Sequence, residues 1–175
     1  MKIIRLLGTI TAGLAIGAGA TAVSAHAAAV AAISNAVVLS SEAMIERTET
    51  GSDGVAHVIL KQPKDVIIVP GDRVVFTLKY VNKGAEPANG FRAINPMPGP
   101  IQFLSAAEDW AEVSVDGGQS WGKLEQLKVP TKVEGQAAPV MRGAGPEDVT
   151  HVRWIFTKAI APGAEGSVSY RGVVK

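Results

Sequence analysis

The sequence predicts an all-β protein, an immunoglobulin-like antiparallel β-sandwich of about eight or nine short strands. Short stretches of alternating apolar and polar residues recur along the chain, and this period of two is typical of half-buried strands. Ten prolines leave few windows for a long helix, and no segment after residue 36 keeps an apolar period of 3.6. Many short strands without intervening helices favour a sandwich or barrel, and 175 residues suit one domain.

Three segments have the clearest strand pattern. Residues 73–82 place alternate apolar side chains on one face, and residues 149–160 and 167–174 repeat this alternation. Shorter β-branched or aromatic runs, bounded by Gly, Pro or Asn, predict weaker strands at residues 37–46, 55–60, 66–69, 91–94, 101–104 and 112–115. The stretch 130–146, which is rich in Gly, Ala and Pro, is predicted to be the longest loop.

Pro-Gly pairs predict the turns that introduce the strongest strands. Pro70 and Gly71, followed by Asp72, precede the first of them, and Pro162 and Gly163 separate the last two. Proline fixes φ at the second position of a type II turn, and glycine accepts the positive φ of the third position. These residues are therefore predicted to be structural.

Residues 114–121, Ser-Val-Asp-Gly-Gly-Gln-Ser-Trp, match the Asp-box pattern of sialidases and other propellers. In this pattern the Asp116 carboxylate accepts backbone N–H bonds, Gly117 and Gly118 permit positive φ, and Trp121 packs beneath the turn. A propeller needs several blades of about 40 residues each, and this chain has one such box. We therefore expect a turn that stabilises a β-hairpin and not a sialidase.

The first 27 residues have the features of a secretory signal peptide. Lys2 and Arg5 supply its positive charge, an uncharged stretch rich in Ala, Gly and Leu follows, and residues 25–27 fit the small-x-small cleavage rule. We expect a mature chain from Ala28, exported to the periplasm, cell surface or medium, with no stable membrane span after cleavage. The alternative is an uncleaved anchor, because apolar character resumes directly after the cleavage site.

Residues 28–48 are predicted to form an N-terminal arm or a first strand, ahead of a sandwich domain at residues 49–175. An apolar arm could add to the sheet edge of a neighbouring subunit, as a donor strand does in a filament. The simpler alternative is that the arm pairs within its own domain as the first strand.

An ordered set of short motifs along residues 66–174 resembles the bacterial conserved-repeat domain known as domain of unknown function eleven. The motifs lie at residues 69–74, 80–84, 86–88, 95–98, 114–118, 151–154 and 161–163. This resemblance implies an exported or surface domain of immunoglobulin-like fold, often present in tandem copies within large envelope proteins. It implies no catalytic residue. This sequence departs from the usual arrangement because it contains a single copy of the motif set.

Composition excludes several functional classes. A net charge of +1 without a basic cluster argues against nucleic-acid binding. The absence of cysteine excludes disulfides, thiolate metal sites and cysteine nucleophiles. His57 and His151 lie on separate predicted strands and lack the spacing of a ligand pair. The sequence therefore predicts no catalytic residue and no cofactor.

Acidic residues are the remaining candidates for a metal site. The pairs Glu108-Asp109 and Glu147-Asp148, together with Asp116, could supply oxygen ligands for Ca²⁺. No loop has the regular acidic spacing of a dedicated calcium site, so no metal site is predicted.

The sequence favours an exported, noncatalytic cell-envelope or surface module that acts through protein contacts, either with an envelope partner or with itself. A small-ligand or glycan-binding module is an alternative, with Trp110 and Trp121 as stacking side chains, unless both are needed in the core. A donor-strand filament subunit is a further alternative. A hydrolase is disfavoured because the polar groups are scattered.

Overall fold

The computed structural model describes residues 36–135 and 138–175. The predicted signal peptide at residues 1–27, and residues 28–35 of the predicted arm, lie outside the described residues. The described chain contains ten strands. They are β1 (Val37–Thr50), β2 (Ala56–Lys61), β3 (Arg73–Asn82), β4 (Arg92–Pro96), β5 (Ile101–Ala106), β6 (Glu112–Ser114), β7 (Lys128–Thr131), β8 (Val140–Gly143), β9 (His151–Ile155) and β10 (Glu165–Val174). Single turns of 3₁₀ helix lie at Pro63–Asp65, Leu124–Gln126 and Pro146–Asp148.

The strands form two main sheets of unequal width. One has five strands in the order β2-β1-β3-β10-β5, and the other has three in the order β4-β9-β6. A separate two-stranded ribbon joins β7 and β8. All pairings are antiparallel. The predicted all-β antiparallel fold is confirmed, whereas its immunoglobulin-like character remains a prediction.

The core lies between the two main sheets. Alternate residues of β3, from Val74 to Leu78, are buried against Trp154 of β9, which is fully buried. The ring of Phe76 stacks on Tyr170 of β10 at 4.8 Å between centroids, and Tyr170 lies 6.3 Å from Trp154. The period of two in β3 and β9 therefore sorts apolar side chains into the space between the sheets.

The first strand pairs within its own domain. Residues 37–45 of β1 pair with β3, and residues 45–50 pair with β2 on the opposite side. Of the two alternatives for the N-terminal segment, the described part of it therefore forms the internal first strand.

Two predicted elements differ from the structure. Residues 66–69 were predicted as a strand but have irregular backbone, because the carbonyl of Ile67 is bonded by the Arg47 side chain, at 2.9 Å, instead of by a neighbouring strand. The predicted long loop at residues 130–146 contains the end of β7 and all of β8. Pro130 is tolerated there because a two-stranded ribbon leaves outward positions unpaired.

We expect the stability of the protein to fall in alkaline solution as Tyr170 ionises. The Tyr170 side chain is 1% exposed, and this burial raises its pKa to about 12. The pKa of an exposed tyrosine is about 10. The folded state thus holds the proton more tightly than the unfolded state. Its contribution to stability is complete below about pH 10 and is lost as the pH rises towards 12.

The variant Tyr170→Phe removes this titration. It also removes the hydroxyl that accepts a 2.7 Å hydrogen bond from Asn95 Nδ2, so we expect about 1 kcal/mol lower stability at pH 7. Urea unfolding at several pH values between 8 and 11.5 measures both effects. A variant that loses stability with pH as steeply as the parent would contradict the assignment.

Candidate functional site

The most exposed apolar surface lies where β1 and β2 extend beyond the sandwich. Pairing of β1 with β3 stops at Ile45, and the rest of β1 pairs with β2 alone. We call residues 55–61 and 66–69 the hairpin end. Large apolar side chains exposed there are Val55, Val58, Leu60, Ile67, Ile68 and Val69, with Val58 67% and Ile67 85% exposed. They form two groups, Val58 and Leu60 on one face of β2, and Ile67 to Val69 in the segment that Arg47 bonds. Exposed apolar groups of this kind mark interaction surfaces.

One ion pair holds the hairpin end in place. Both terminal nitrogens of Arg47 donate to the Asp72 carboxylate, at 2.7 and 2.8 Å, and one also donates to the carbonyl of Ile67. The Asp72 carboxylate accepts a further bond from the N–H of Val69 at 2.8 Å. The Arg47 guanidinium therefore lowers the pKa of Asp72 and fixes the chain on both sides of the predicted turn to β1.

The strand β2 is an open edge among the described residues, since β1 is its single neighbour. At the start of the hairpin the N–H of Gly51 donates to the carbonyl of Val55 at 2.8 Å. Bonded positions alternate along an antiparallel pair, so the odd-numbered residues of β2 bond to β1. The backbone N–H and C=O groups of residues 56, 58 and 60 consequently point away from β1, towards the open side.

A second feature, the aromatic groove, lies at the other end of β3. Its walls are built from Tyr80, Phe156 and Trp110, with Phe91 packed behind them. Phe156 lies 4.9 Å from Tyr80, 5.2 Å from Trp110 and 5.3 Å from Phe91 between ring centroids. The groove has a volume of about 530 Å³ and is also lined by residues 157–161, Ala164 and Glu165.

A buried asparagine holds the chain segments behind the groove. Asn82 is fully buried, and its Nδ2 donates to the carbonyls of Ile160 at 2.7 Å and Glu86 at 2.9 Å. Its Oδ1 accepts from the N–H of Gly84 at 2.9 Å. Because every polar atom of this side chain is paired, the end of β3 is joined to both neighbouring loops.

The two tryptophans that the sequence grouped together lie in different clusters. Trp110 is 41% exposed and packs on Phe156. Trp121 donates its indole N–H to the carbonyl of Gly118 at 2.9 Å, and Arg153 lies over its ring at 4.4 Å. Sequence reasoning missed Phe156 as a partner of Trp110, because the signal is a contact between distant segments.

The Asp-box turn is built around one carboxylate. Asp116 accepts from the N–H of Gln119 at 2.9 Å and from both the N–H and the hydroxyl of Ser120. Gly117 and Gly118 have φ of 78° and 91°. The Ser120 hydrogen bonds hold the pKa of Asp116 far below its usual range.

The two Pro-Gly pairs form turns with a glycine at positive φ. Gly71 has φ of 92°, and the N–H of Asp72 donates to Val69 at 3.1 Å. Gly163, which follows Pro162, has φ of 73°. The residues that flank this second turn, Ala161 and Ala164, line the aromatic groove.

The acidic pairs are engaged with protein groups at separate places. Glu108 accepts the indole N–H of Trp154 at 2.8 Å and the N–H of Ser169 at 3.2 Å. Asp148 accepts two bonds from Arg142, both at 2.7 Å. Within residues 36–135 and 138–175, no group of three His, Asp or Glu side chains could hold a metal ion.

The described part of the chain has no helix that is long and apolar enough to cross a membrane. No protein-family model matches the chain, and neither a curated protein nor a solved structure shows significant similarity to it. The resemblance to the conserved-repeat domain therefore remains a prediction.

We expect Asp116→Asn to lower the melting temperature at pH 7, because the carboxylate charge strengthens the bonds from residues 119 and 120. The pKa of Asp116 is lower in the folded state than in the unfolded state. Its contribution is therefore complete above about pH 4 and is lost as the pH falls further.

The difference in melting temperature between parent and variant should shrink between pH 5 and pH 2, as followed by circular dichroism. Asp109→Asn, at an exposed loop position, is the matched control and should leave the melting temperature unchanged. A difference that stays constant down to pH 2 would show that the charge of Asp116 does not matter.

Proposed function

We propose that this protein is an exported, noncatalytic module of the cell envelope or surface that acts through protein contacts. The observation that carries this proposal is the hairpin end, where an open edge strand displays large apolar side chains. The predicted signal peptide supports export. Engagement of Glu108, Asp148 and Asp116 in structural hydrogen bonds supports a noncatalytic role.

The geometry of β2 favours one kind of contact, the addition of an extended strand from a protein partner. Its outward N–H and C=O groups at residues 56, 58 and 60 offer the main-chain bonds that strand addition needs. The side chains of Val58 and Leu60 lie on one face and can pack against alternate side chains of the added strand. Open edges usually carry charges or proline that block such pairing, and β2 has neither at its outward positions.

Site-specific photo-crosslinking in cells tests this role. A photoreactive amino acid at Ala56, on the edge of β2, should give protein adducts in the envelope or exported fraction. The same residue at Leu104, an exposed position on the edge strand β5, is the matched control. An Ala56 variant that gives no more adduct than the Leu104 control, or retention of the protein in the cytoplasm, would overturn the proposal.

A proline variant shows whether the contact is strand addition. Val58→Pro removes an outward N–H and leaves the hydrogen bonds between β2 and β1 intact. We expect it to reduce the adduct at Ala56 about tenfold, equivalent to a loss of about 1.4 kcal/mol. Adducts that survive Val58→Pro would point to a contact made through side chains alone.

The aromatic groove supports a second function, the binding of a small ligand or glycan. Trp110 keeps 41% of its surface exposed beside an apolar groove whose lining includes Lys158 and Glu165. Binding sites combine apolar and aromatic walls with a few polar groups in this way.

Tryptophan fluorescence with chito- and malto-oligosaccharides tests this second function. A bound sugar should change the emission of the parent, and Trp110→Ala should weaken binding at least about tenfold. Trp121→Ala, in the other cluster, should bind as the parent does. Emission that no oligosaccharide changes would remove the glycan from consideration.

A further inference from the structure

We infer that the strand added to β2 is β2 of a second copy of this chain, paired antiparallel about a two-fold axis at Val58. This inference rests on the proposed role in protein contacts and names the partner. The pairing would join two five-stranded sheets into one continuous sheet.

The hydrogen-bonding positions of β2 fit such a pairing. An axis at Val58 places this residue opposite the partner's Val58, and Ala56 opposite the partner's Leu60. All of these residues point their N–H and C=O groups to the open side, as shown by the bond between Gly51 and Val55. Each pair can therefore exchange two main-chain bonds without disturbing the pairing of β2 with β1.

The side chains of β2 are self-complementary in the same register. On one face, Val58 would pack against the partner's Val58, and Leu60 would pack against the partner's Ala56. The exposed apolar side chains of the two copies would thus form one continuous stripe. On the other face, His57 would lie opposite the partner's Ile59, and Lys61 opposite the partner's Val55. No two like charges face each other.

Neighbouring registers are less favourable. An axis at His57 would place Leu60 opposite the partner's Gly54, and an axis at Ile59 would place Ala56 opposite the partner's Gln62. Each of these registers leaves an outward position of β2 facing a residue outside the partner's strand, whereas an axis at Val58 pairs all three outward positions within β2. The sequence of β2 therefore favours Val58 as the centre.

The His57 and Lys61 side chains also have partners within the hairpin. His57 lies 3.1 Å from the Asp53 carboxylate, and Lys61 forms an ion pair with Glu49. The Lys61 charge is thus balanced inside one copy, which lowers the electrostatic cost of bringing a second copy close.

The other edge of the same sheet is a poorer candidate. In β5, Ile101 and Phe103 are buried and Leu104 is the one large apolar side chain exposed in the strand. A second copy at β5 would cover little apolar surface, so the inference is specific to β2.

Disulfide trapping tests the inference directly, because the chain contains no cysteine. Purified Val58→Cys protein should form a covalent dimer under mild oxidation, since directly opposite residues of an antiparallel pair lie within disulfide reach. Leu104→Cys, on the edge strand β5, should remain monomeric. Failure of Val58→Cys to crosslink faster than Leu104→Cys would overturn the inference.

A mixed experiment tests the register. Ala56→Cys and Leu60→Cys should each crosslink slowly alone, whereas an equimolar mixture should give the heterodimer efficiently. Preferential crosslinking of either variant with itself would reject the axis at Val58.

Light scattering over a range of concentrations provides a measurement that needs no cysteine. The parent should dimerise reversibly, and Val58→Lys should weaken dimerisation at least about tenfold, by placing two ammonium groups at the axis. A parent that stays monomeric at all concentrations would also overturn the inference.

Different experimental results would reject the proposed function and this inference. Adducts from Ala56 in cells with the mass of two copies support both, whereas adducts with another protein, together with a monomeric parent, retain the protein-contact role and reject the second copy. Absence of adducts rejects both.

Discussion

The extension of the β1–β2 hairpin past Ile45 is the constraint on which the hairpin end depends. The core reaches β1 through Ile45, and the pairing of β1 with β3 stops at this residue. Because side chains alternate along β2, Val58 and Leu60 lie on the face opposite Lys61, the partner of Ile45, and stay in contact with water. The ion pair between Arg47 and Asp72 fixes the hairpin in this position, so the surface is presented in a defined conformation.

The central strand β3 separates the two candidate sites. The pairing of β1 with β3 ends at Val74 of β3, and the aromatic groove begins at Tyr80 of the same strand. Six residues of extended chain span about 20 Å. Substitutions at Val58 and Trp110 therefore share no partners, and their effects on stability and binding should be independent. Loss of one activity would leave the other available as a test of correct folding.

Local patterns were sufficient to predict most of the strands, but not the contacts that create the sites. Alternation in β3 and Pro-Gly turns act over a few residues, so they are visible in the sequence. Residues 66–69 have the composition of a strand, yet Arg47, far away in the chain, bonds their backbone. Likewise, Trp110 and Trp121 are close in sequence, and the sheet arrangement places them against Phe156 and Arg153 respectively.

The hairpin end also shows why charge content alone is a poor guide to edge protection. The polar side chains of His57 and Lys61, the second of them a cation, would normally discourage pairing at an edge strand. Here both point to the same face of β2, where His57 lies beside the Asp53 carboxylate and the Glu49 carboxylate neutralises Lys61. The opposite face carries Val58 and Leu60 without a charged residue between them. Because side chains alternate along a strand, a segment with two potential cations still presents an uncharged apolar stripe.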